Sequence, residues 1–190
     1  MEFDSVIKKR KSTDRFKNKK VSWKDVLEAI DAANQGPFAS NHNHLKFVIV
    51  EEPEMINKIA KACDQLWINK AGILVVATSE DKHLEKMFGE RGRIYSRQQA
   101  GAAISTFLLK ITDLKLSSCW VGSYDDHELR LLLEIPEDCQ IEAILPIGYD
   151  ENKSAKKKKK SLESTIFWEK WDVKKRPEFF EEQKDYYSIR

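Results

Sequence analysis

Apolar residues occur along this chain at two kinds of spacing, and each kind predicts a different element. In four segments they recur every three or four residues, which predicts amphipathic helices. A Ser-x-x-Asp start, a proline in the first turn or an aspartate cap marks where three of these helices begin. The predicted helices cover residues 22–36, 53–63, 100–114 and 126–133, and a shorter helix ends at Arg10.

Continuous apolar runs rich in β-branched residues predict strands at 45–50, 71–78 and 141–149. Residues 71–78 are apolar at nearly every position, so we expect this strand to be buried on both faces. Residues 118–122 form a shorter strand or strand-turn, and the charged segment 84–96 fits no single element. Because helices and strands alternate without strict βαβ order, the pattern indicates an α+β fold with a central sheet.

The C-terminal tail beyond Leu162 is both aromatic and charged. Its aromatic residues are Phe167, Trp168, Trp171, Phe179, Phe180, Tyr186 and Tyr187. This content is too high for a disordered segment. We therefore expect the tail to lie on an apolar surface of its own core or of a second subunit.

Composition narrows the class of protein. With 190 residues and 41% hydrophobic content, the chain can form one domain with a substantial core. The net charge of +2 argues against a dedicated nucleic-acid binder. No apolar stretch is long enough to span a membrane, and the first residues do not resemble a signal peptide. Three widely spaced cysteines favour free thiols, so we expect a cytoplasmic protein.

Four short polar segments are candidates for one binding site: Arg10-Lys11-Ser12, Pro37 to Asn41, Ser118 to Ser123, and Lys156 to Lys160. Taken singly, each has a structural interpretation, as a basic helix end, a turn, a buried strand or a solvated charge run. Together, the cations and hydroxyl of the outer two could hold a phosphate. The middle two could present amide and backbone groups to a planar heterocycle.

Other chemistries have little support. Glycine-rich nucleotide-binding motifs and the G-x-S-x-G motif of hydrolases are absent. Cys119 has no His or Asp near it in sequence, so a nucleophilic thiol is not expected. His42 and His44 lack further ligands at metal-binding spacing.

In their order along residues 3–168, these segments resemble the FMN-dependent nitroreductase family. Arg10-Lys11-Ser12-Thr13 is similar to its Arg-Arg-Ser-x-Arg motif, and Pro37 to Asn41 to its Pro-Ser-x-x-Asn motif. Leu116 to Gly122 resembles Gly-Leu-Gly-Ser-Cys-Trp-x-Gly, and Lys157 and Lys159 stand where the family has Lys-x-Arg.

The resemblance implies a nitroreductase-like α+β fold, with a central, mostly antiparallel sheet flanked by helices. It also implies an intertwined homodimer that holds one FMN in each of two interface clefts. The FMN-binding domain would cover residues 1–168. Residues 169–190 would form an extension packed on the partner subunit.

The resemblance also assigns roles to individual residues. The FMN phosphate would be held by Arg10, Ser12, Lys157 and Lys159, with Lys11 near the pyrimidine side of the ring. The partner subunit would bring the segment containing Pro37, Phe38, Ala39 and Asn41 to the ring. Val121, Gly122 and Ser123 would line the ring edge. No side chain would need to act as a catalytic acid or base.

Some positions depart from the family pattern. Asp14, Phe38, Leu45, Gln99, Lys115 and Ser117 stand where the family has Arg, Ser, Trp, Asp, Gly and Gly. These changes concern the substrate pocket and the pyrimidine contacts more than the fold.

The implied activity is transfer of hydride from NADH or NADPH through FMN to a nitroaromatic, quinone or other small electron acceptor, by a ping-pong mechanism. An alternative is a specialised flavoprotein of the same fold without general reductase activity. A more distant alternative is a polyanion or nucleic-acid binding module built on the lysine tract.

Overall fold

The computed structural model describes residues 1–151 and 159–176, and the bounds of the elements are these. The helices are α1 (Phe3–Lys9), α2 (Trp23–Asn34), α3 (Pro53–Ala62), α4 (Lys82–Phe88), α5 (Arg91–Asp113) and α6 (Asp126–Leu133). The strands are β1 (Phe16–Lys17), β2 (Leu45–Val50), β3 (Ile73–Glu80), β4 (Ser117–Ser118) and β5 (Cys139–Asp150). Three 3-10 turns cover Ala39–Asn41, Leu66–Lys70 and Leu162–Thr165.

The five strands form one antiparallel sheet in the order β1-β5-β3-β2, and β4 pairs with β5. Strand β3 lies at the centre, and seven of its eight residues are buried. The prediction of a strand buried on both faces is therefore confirmed. The predicted α+β fold with a central antiparallel sheet flanked by helices is confirmed as well.

Alternate residues of β3 supply two separate apolar layers, as the two-residue period of a strand requires. Val75 and Ala77 pack into the layer that contains α2 and α5. Leu74 and Val76 pack into the opposite layer, with α3 and α6. Each large apolar side chain buried in this way stabilises the fold by roughly 1.5–3 kcal/mol.

Residues 84–96, which the sequence pattern does not assign to a helix or a strand, form the end of α4 and the start of α5. Gly89 separates the two helices with φ +59°, a backbone conformation that suits glycine. Gly92 lets α5 approach the backbone of Leu84, because an added Cβ would lie 2.4 Å from the Leu84 carbonyl carbon. The close contact between α4 and α5 therefore depends on Gly92.

Two predicted helix starts are found in the expected places. The Ser-x-x-Asp start begins at Ser22, the residue before α2, although the Ser22 side chain makes no capping hydrogen bond. Asp125 does cap α6, since the Glu128 N–H donates to its Oδ1 at 2.8 Å.

The chain divides into two compact units, residues 1–154 and 155–190. In the second unit the rings of Phe167 and Trp171 lie 4.6 Å apart, and the Lys174 ammonium lies 3.9 Å from the Phe167 ring centre. Residues 177–190 lie outside the described part of the chain. A domain boundary at residue 168 and the packing of the extension 169–190 on a partner therefore stay predictions.

Candidate functional site

The first predicted segment, Arg10-Lys11-Ser12, lies against the third. Arg10 follows α1 directly and its N–H donates to the Val6 carbonyl oxygen at 2.9 Å. Ser12 forms a parallel bridge with Ser118, and the Thr13 N–H donates to the Ser118 carbonyl oxygen at 3.2 Å. The structure thus brings a guanidinium and an exposed hydroxyl beside the strand β4.

The thiol of Cys119 faces the same segment. Burial raises its pKa, whereas a hydrogen bond with Ser12 and the positive charge of Arg10 act in the opposite direction. The net effect keeps the thiol protonated at neutral pH. This agrees with the expectation that Cys119 is not a nucleophile.

Lys11 points to the end of β5. Its Nζ lies 2.6 Å from Asp150 Oδ2, and both side chains are about four-fifths buried. This ion pair fixes the first segment to the sheet. It also partly neutralises the cation that the family resemblance places near the pyrimidine ring.

The segment after Cys119 is fixed at one residue and open at the next. The Val121 N–H donates to the Ile144 carbonyl oxygen at 2.9 Å, and its own carbonyl accepts from Ile144 N–H at 3.0 Å. The Val121 N–H is therefore occupied by the sheet. Gly122 and Ser123 are exposed. Among the described residues, a side chain added at Gly122 would meet only the Trp120 indole nitrogen, at 4.0 Å.

The second predicted segment, residues 37–41, folds into a tight turn on α5. The Ala39 N–H donates to Gln99 Oε1 at 2.7 Å. Ser40 and Asn41 have φ values of 52° and 54°, which non-glycine residues adopt at a cost in energy. Phe38 packs on the core of the α2–α5 layer. The loop is therefore held in a defined but strained shape.

His44, three residues after the loop, makes a second contact with α5. His44 is fully buried, and its Nε2 lies 3.2 Å from the Ser96 carbonyl oxygen. Burial lowers the pKa of His44, so the ring is neutral at neutral pH and Nε2 carries the proton. Since Ser96 and Gln99 lie three residues apart on one face of α5, both anchors hold the loop against the same helix.

The first and second segments lie at opposite ends of the sheet. The His44 carbonyl accepts from the N–H of Glu80, the last residue of β3. Ser118 pairs with Ile147, which pairs with Ile73, the first residue of β3. Eight residues of strand span about 23 Å from first to last. Within one chain, the loop at 37–41 therefore does not meet Arg10 and Ser12.

Sequence reasoning missed a polar cluster near the N-terminal part of α5. Arg97 forms ion pairs with Asp81 and with Glu142, the latter at 2.6 Å. Ser79 Oγ donates to Glu142 Oε1 at 2.6 Å, and Ser96 Oγ donates to Asp81 Oδ1 at 2.6 Å. The available signal was the polar end of the apolar run, where Thr78-Ser79 follows seven apolar or small residues.

A β-bulge in the sheet lies next to this polar cluster. The register between β3 and β5 shifts between Ala77 and Thr78, so that Glu142 has no partner residue in β3. Its side chain is 10% exposed, and burial raises the pKa of Glu142 although Ser79 and Arg97 lower it. The bulge lets this carboxylate reach Arg97.

The fourth predicted segment is only partly described. Lys159 is exposed, and Lys157 lies outside the described residues. The expected contact of both lysines with a phosphate therefore stays a prediction. Within residues 1–151 and 159–176, no group of three His, Cys, Asp or Glu side chains is placed to hold a metal ion. No helix in those ranges is long and apolar enough to cross a membrane.

The family model described as "Nitroreductase family" matches residues 7–83 and 63–149. This chain belongs to the nitroreductase family. The resemblance seen in its motifs is thereby confirmed.

Curated members of the nitroreductase family are similar along most of their length. Iodotyrosine deiodinase of Thermotoga neapolitana is 27% identical over 167 residues, which cover 80% of this chain and 90% of that protein. A putative NADH dehydrogenase/NAD(P)H nitroreductase of Archaeoglobus fulgidus is 28% identical over 153 residues, covering 77% and 84%.

A solved structure shows the same fold. Iodotyrosine deiodinase bound to FMN and 3-iodo-L-tyrosine superposes with a TM-score of 0.73 at 23% identity, covering 84% of this chain and 96% of that one. The nitroreductase fold is therefore shared between proteins named as reductases and as deiodinases.

Proposed function

We propose that this nitroreductase-family chain is an FMN-dependent oxidoreductase. It takes hydride from NADH or NADPH and passes it to a small electron acceptor, such as a nitroaromatic or a quinone, by a ping-pong mechanism. The observation that carries the proposal is the Ser12–Ser118 bridge, which joins the phosphate-type segment to the ring-type segment.

The residues at this bridge suit FMN. Its phosphate carries about two negative charges, and Arg10 and Ser12 offer a guanidinium and a hydroxyl to it. The open space at Gly122 leaves room for a flat ring, and Gly122 and Ser123 can supply backbone donors to its edge. Lys157 and Lys159 would add positive charge to the phosphate site. When bound, FMN supplies the hydride chemistry.

The chain's own residues then bind and orient rather than exchange protons. The Lys11–Asp150 pair holds the first segment on β5, and the Val121–Ile144 bonds hold the ring-edge segment on the same strand. The first segment and the ring-edge segment are thus both attached to β5, the longest strand described. Rigid attachment of this kind preserves the geometry needed for hydride transfer.

A complete site needs two copies of the chain. In one copy, the loop that contains Pro37, Phe38, Ala39 and Asn41 and the Ser12 bridge lie at opposite ends of β3, a strand about 23 Å long. In a two-fold dimer the loop of each copy can approach Arg10 and Ser12 of the other, which forms two equal sites. Phe3 and Ile7, 66% and 43% exposed, present an apolar face of α1 next to Arg10.

The visible absorption spectrum tests the proposal. Purified protein should be yellow after saturation with FMN, and the absorbance should bleach when NADH or NADPH is added. Arg10→Ala and the double variant Lys157→Ala, Lys159→Ala should each lose FMN. Arg91→Ala, which changes an exposed arginine at the start of α5, should keep it. Protein that stays colourless with excess FMN contradicts the proposal.

A second candidate function is reductive dehalogenation of an aromatic substrate. It is favoured by the similarity to the iodotyrosine deiodinase of Thermotoga neapolitana. It is also favoured by Lys115, two residues before β4, and by Ser117, the first residue of β4, which stand where the family pattern has glycines. Turnover of 3-iodo-L-tyrosine but not of nitroaromatics or quinones by reduced enzyme would select this candidate. The reverse preference would exclude it.

A further inference from the structure

Trp120 is a large exposed residue on a segment of backbone that is fixed to the sheet on both sides. It is 40% exposed, whereas Ser118 and Val121 are buried. Ser118 pairs with Ile147, and Val121 exchanges two backbone hydrogen bonds with Ile144. The backbone that carries the indole ring is therefore held by β5 before and after Trp120.

Packing in the core does not account for a tryptophan at this position. Cys119 and Val121 both pack into the layer that contains α3 and α6. Because side chains alternate along extended backbone, Trp120 points away from that layer. It is not part of the other apolar layer either. An exposed apolar residue is common by itself, so its surroundings decide whether it has a role.

The indole N–H of Trp120 borders the open space at Gly122. Among the described residues it has no hydrogen-bond partner. Its Nε1 lies 4.0 Å from the position that a Cβ on Gly122 would take. Apart from the chain neighbours of Gly122, no other described atom lies within 4 Å of that position. The N–H is therefore a free donor, able to bind a ligand atom that enters this space.

We propose that Trp120 is a specificity-determining residue for the electron acceptor. Its indole N–H donates to a carbonyl oxygen of a quinone that binds in the open space beside Gly122. This inference rests on the proposed function, because FMN is the source of hydride there. It adds the class of acceptor and the side chain that recognises it.

A donor at this place suits the chemistry of a quinone. The quinone takes up hydride, which is two electrons and one proton, at one oxygen, and negative charge develops on the other oxygen. The oxidation of reduced FMN balances this gain, and a proton from water completes the hydroquinone. An N–H group beside the charged oxygen stabilises the transition state more than the neutral quinone.

One variant removes the N–H group and a second is its matched control. Trp120→Phe keeps an apolar ring but has no donor. Trp23→Phe makes the same change at a tryptophan that is 49% exposed at the start of α2. Both are studied as full-length protein loaded with FMN, and the visible absorbance shows whether their cofactor content equals that of the original protein.

The first measurement is reoxidation of dithionite-reduced protein without oxygen, followed by the return of the visible absorbance. With menadione, a quinone, the second-order rate constant should fall about tenfold in Trp120→Phe, the effect of one lost hydrogen bond. It should not change in Trp23→Phe. With ferricyanide, which has no carbonyl oxygen, neither variant should differ from the original protein. No loss with menadione, or an equal loss with both acceptors, would overturn the proposal.

The second measurement needs no turnover. Labelling the indole nitrogens of the five tryptophans for NMR gives five N–H signals, and the signal missing from Trp120→Phe belongs to Trp120. Excess menadione added to oxidised, FMN-loaded protein should move the proton signal of Trp120 downfield, because the N–H gains an acceptor. A signal that stays in place would contradict the hydrogen bond.

The outcomes distinguish this inference from the proposed function. If the original protein binds FMN and Trp120→Phe reduces menadione equally fast, the proposed function stands and the role of Trp120 falls. The same holds if a nitroaromatic reoxidises the original protein and menadione does not. If the original protein binds no FMN, the proposed function and the role of Trp120 fall together.

Discussion

At the scale of single residues, Lys115 has a backbone conformation that costs energy. It follows the C-terminus of α5 with φ 63°, and the Leu116 N–H closes the helix end by donating to the Ile111 carbonyl at 3.0 Å. A left-handed residue at this place is usually glycine. Because a residue with a Cβ is strained in this backbone conformation, replacement of Lys115 by glycine should stabilise the fold.

We expect Lys115→Gly to raise the free energy of unfolding by about 0.5–1 kcal/mol, the left-handed cost less the extra freedom of glycine in the unfolded chain. Urea denaturation measures the change. Lys110→Gly, inside α5, should lower it by about 1 kcal/mol and is the control. A Lys115→Gly variant less stable than the original protein would show that the lysine makes a stabilising contact.

Glu142 should make stability depend on pH in a defined direction. Burial raises its pKa above the ordinary 4.5, so the folded state disfavours the ionised form more than the unfolded chain does. The stability that Glu142 contributes is fully present below pH 4.5 and is lost as pH rises through the raised pKa.

The difference in unfolding free energy between the original protein and Glu142→Gln should therefore fall as pH rises above 4.5. Urea titrations of both proteins at each pH give this difference, in which other titrating groups largely cancel. A difference that grows with pH would mean that Arg97 outweighs burial.

The sequence identified which polar residues to examine but not how their backbone groups are used. Val121 was predicted to line the ring, and only the structure shows that its N–H is bonded to Ile144. The two residues are 23 positions apart. Such long-range pairings depend on sheet register, which local spacing does not encode. The role of Gln99 escaped for the same reason, since Ala39 is 60 residues away.

At the scale of elements, continuous apolar runs were the most informative signal. The strand predicted at 45–50 has those bounds in the structure, and the strand predicted at 71–78 covers Ile73–Glu80. The start of α5 was missed because its first two turns carry Arg91, Gly92 and Arg93 rather than an apolar stripe. Their packing against α4 stabilises a helix that local propensity alone does not favour.

We expect Gly92→Ala to lower the free energy of unfolding by about 1–3 kcal/mol, because the new methyl group would overlap the Leu84 backbone. Thermal or urea unfolding measures the loss. Ser105→Ala, at an exposed position of the same helix, should change stability by less than about 0.5 kcal/mol. A fully stable Gly92→Ala protein would contradict the close approach of α4 and α5.

At the scale of the whole molecule, the ends of the sheet decide how a site can form. The loop at 37–41 and the Ser12–Ser118 bridge are both well defined, yet the length of β3 separates them. Neither composition nor periodicity predicts such a separation, because it follows from the order of strands in the sheet. The family resemblance predicts that the loop serves a partner subunit, and this stays a prediction.

Oligomeric state and cofactor binding should depend on the same surface. We expect light scattering to give a mass twice the 22.1 kDa of one chain. The double variant Phe3→Asp, Ile7→Asp places charges on the exposed face of α1 beside Arg10, where a partner's loop would arrive. Its mass should fall towards that of one chain, and FMN should be lost although Arg10 and Ser12 are unchanged.

Leu131→Asp is the matched control, because Leu131 is 69% exposed on α6, in the layer opposite α2 and α5. It should leave both mass and FMN content unchanged. If the double variant is monomeric and still binds FMN as tightly as the original protein, the loop from a partner is not part of the site. If it loses FMN while its mass stays doubled, α1 contacts the cofactor site but not the partner. Only joint loss of dimer and FMN supports a site built from two chains.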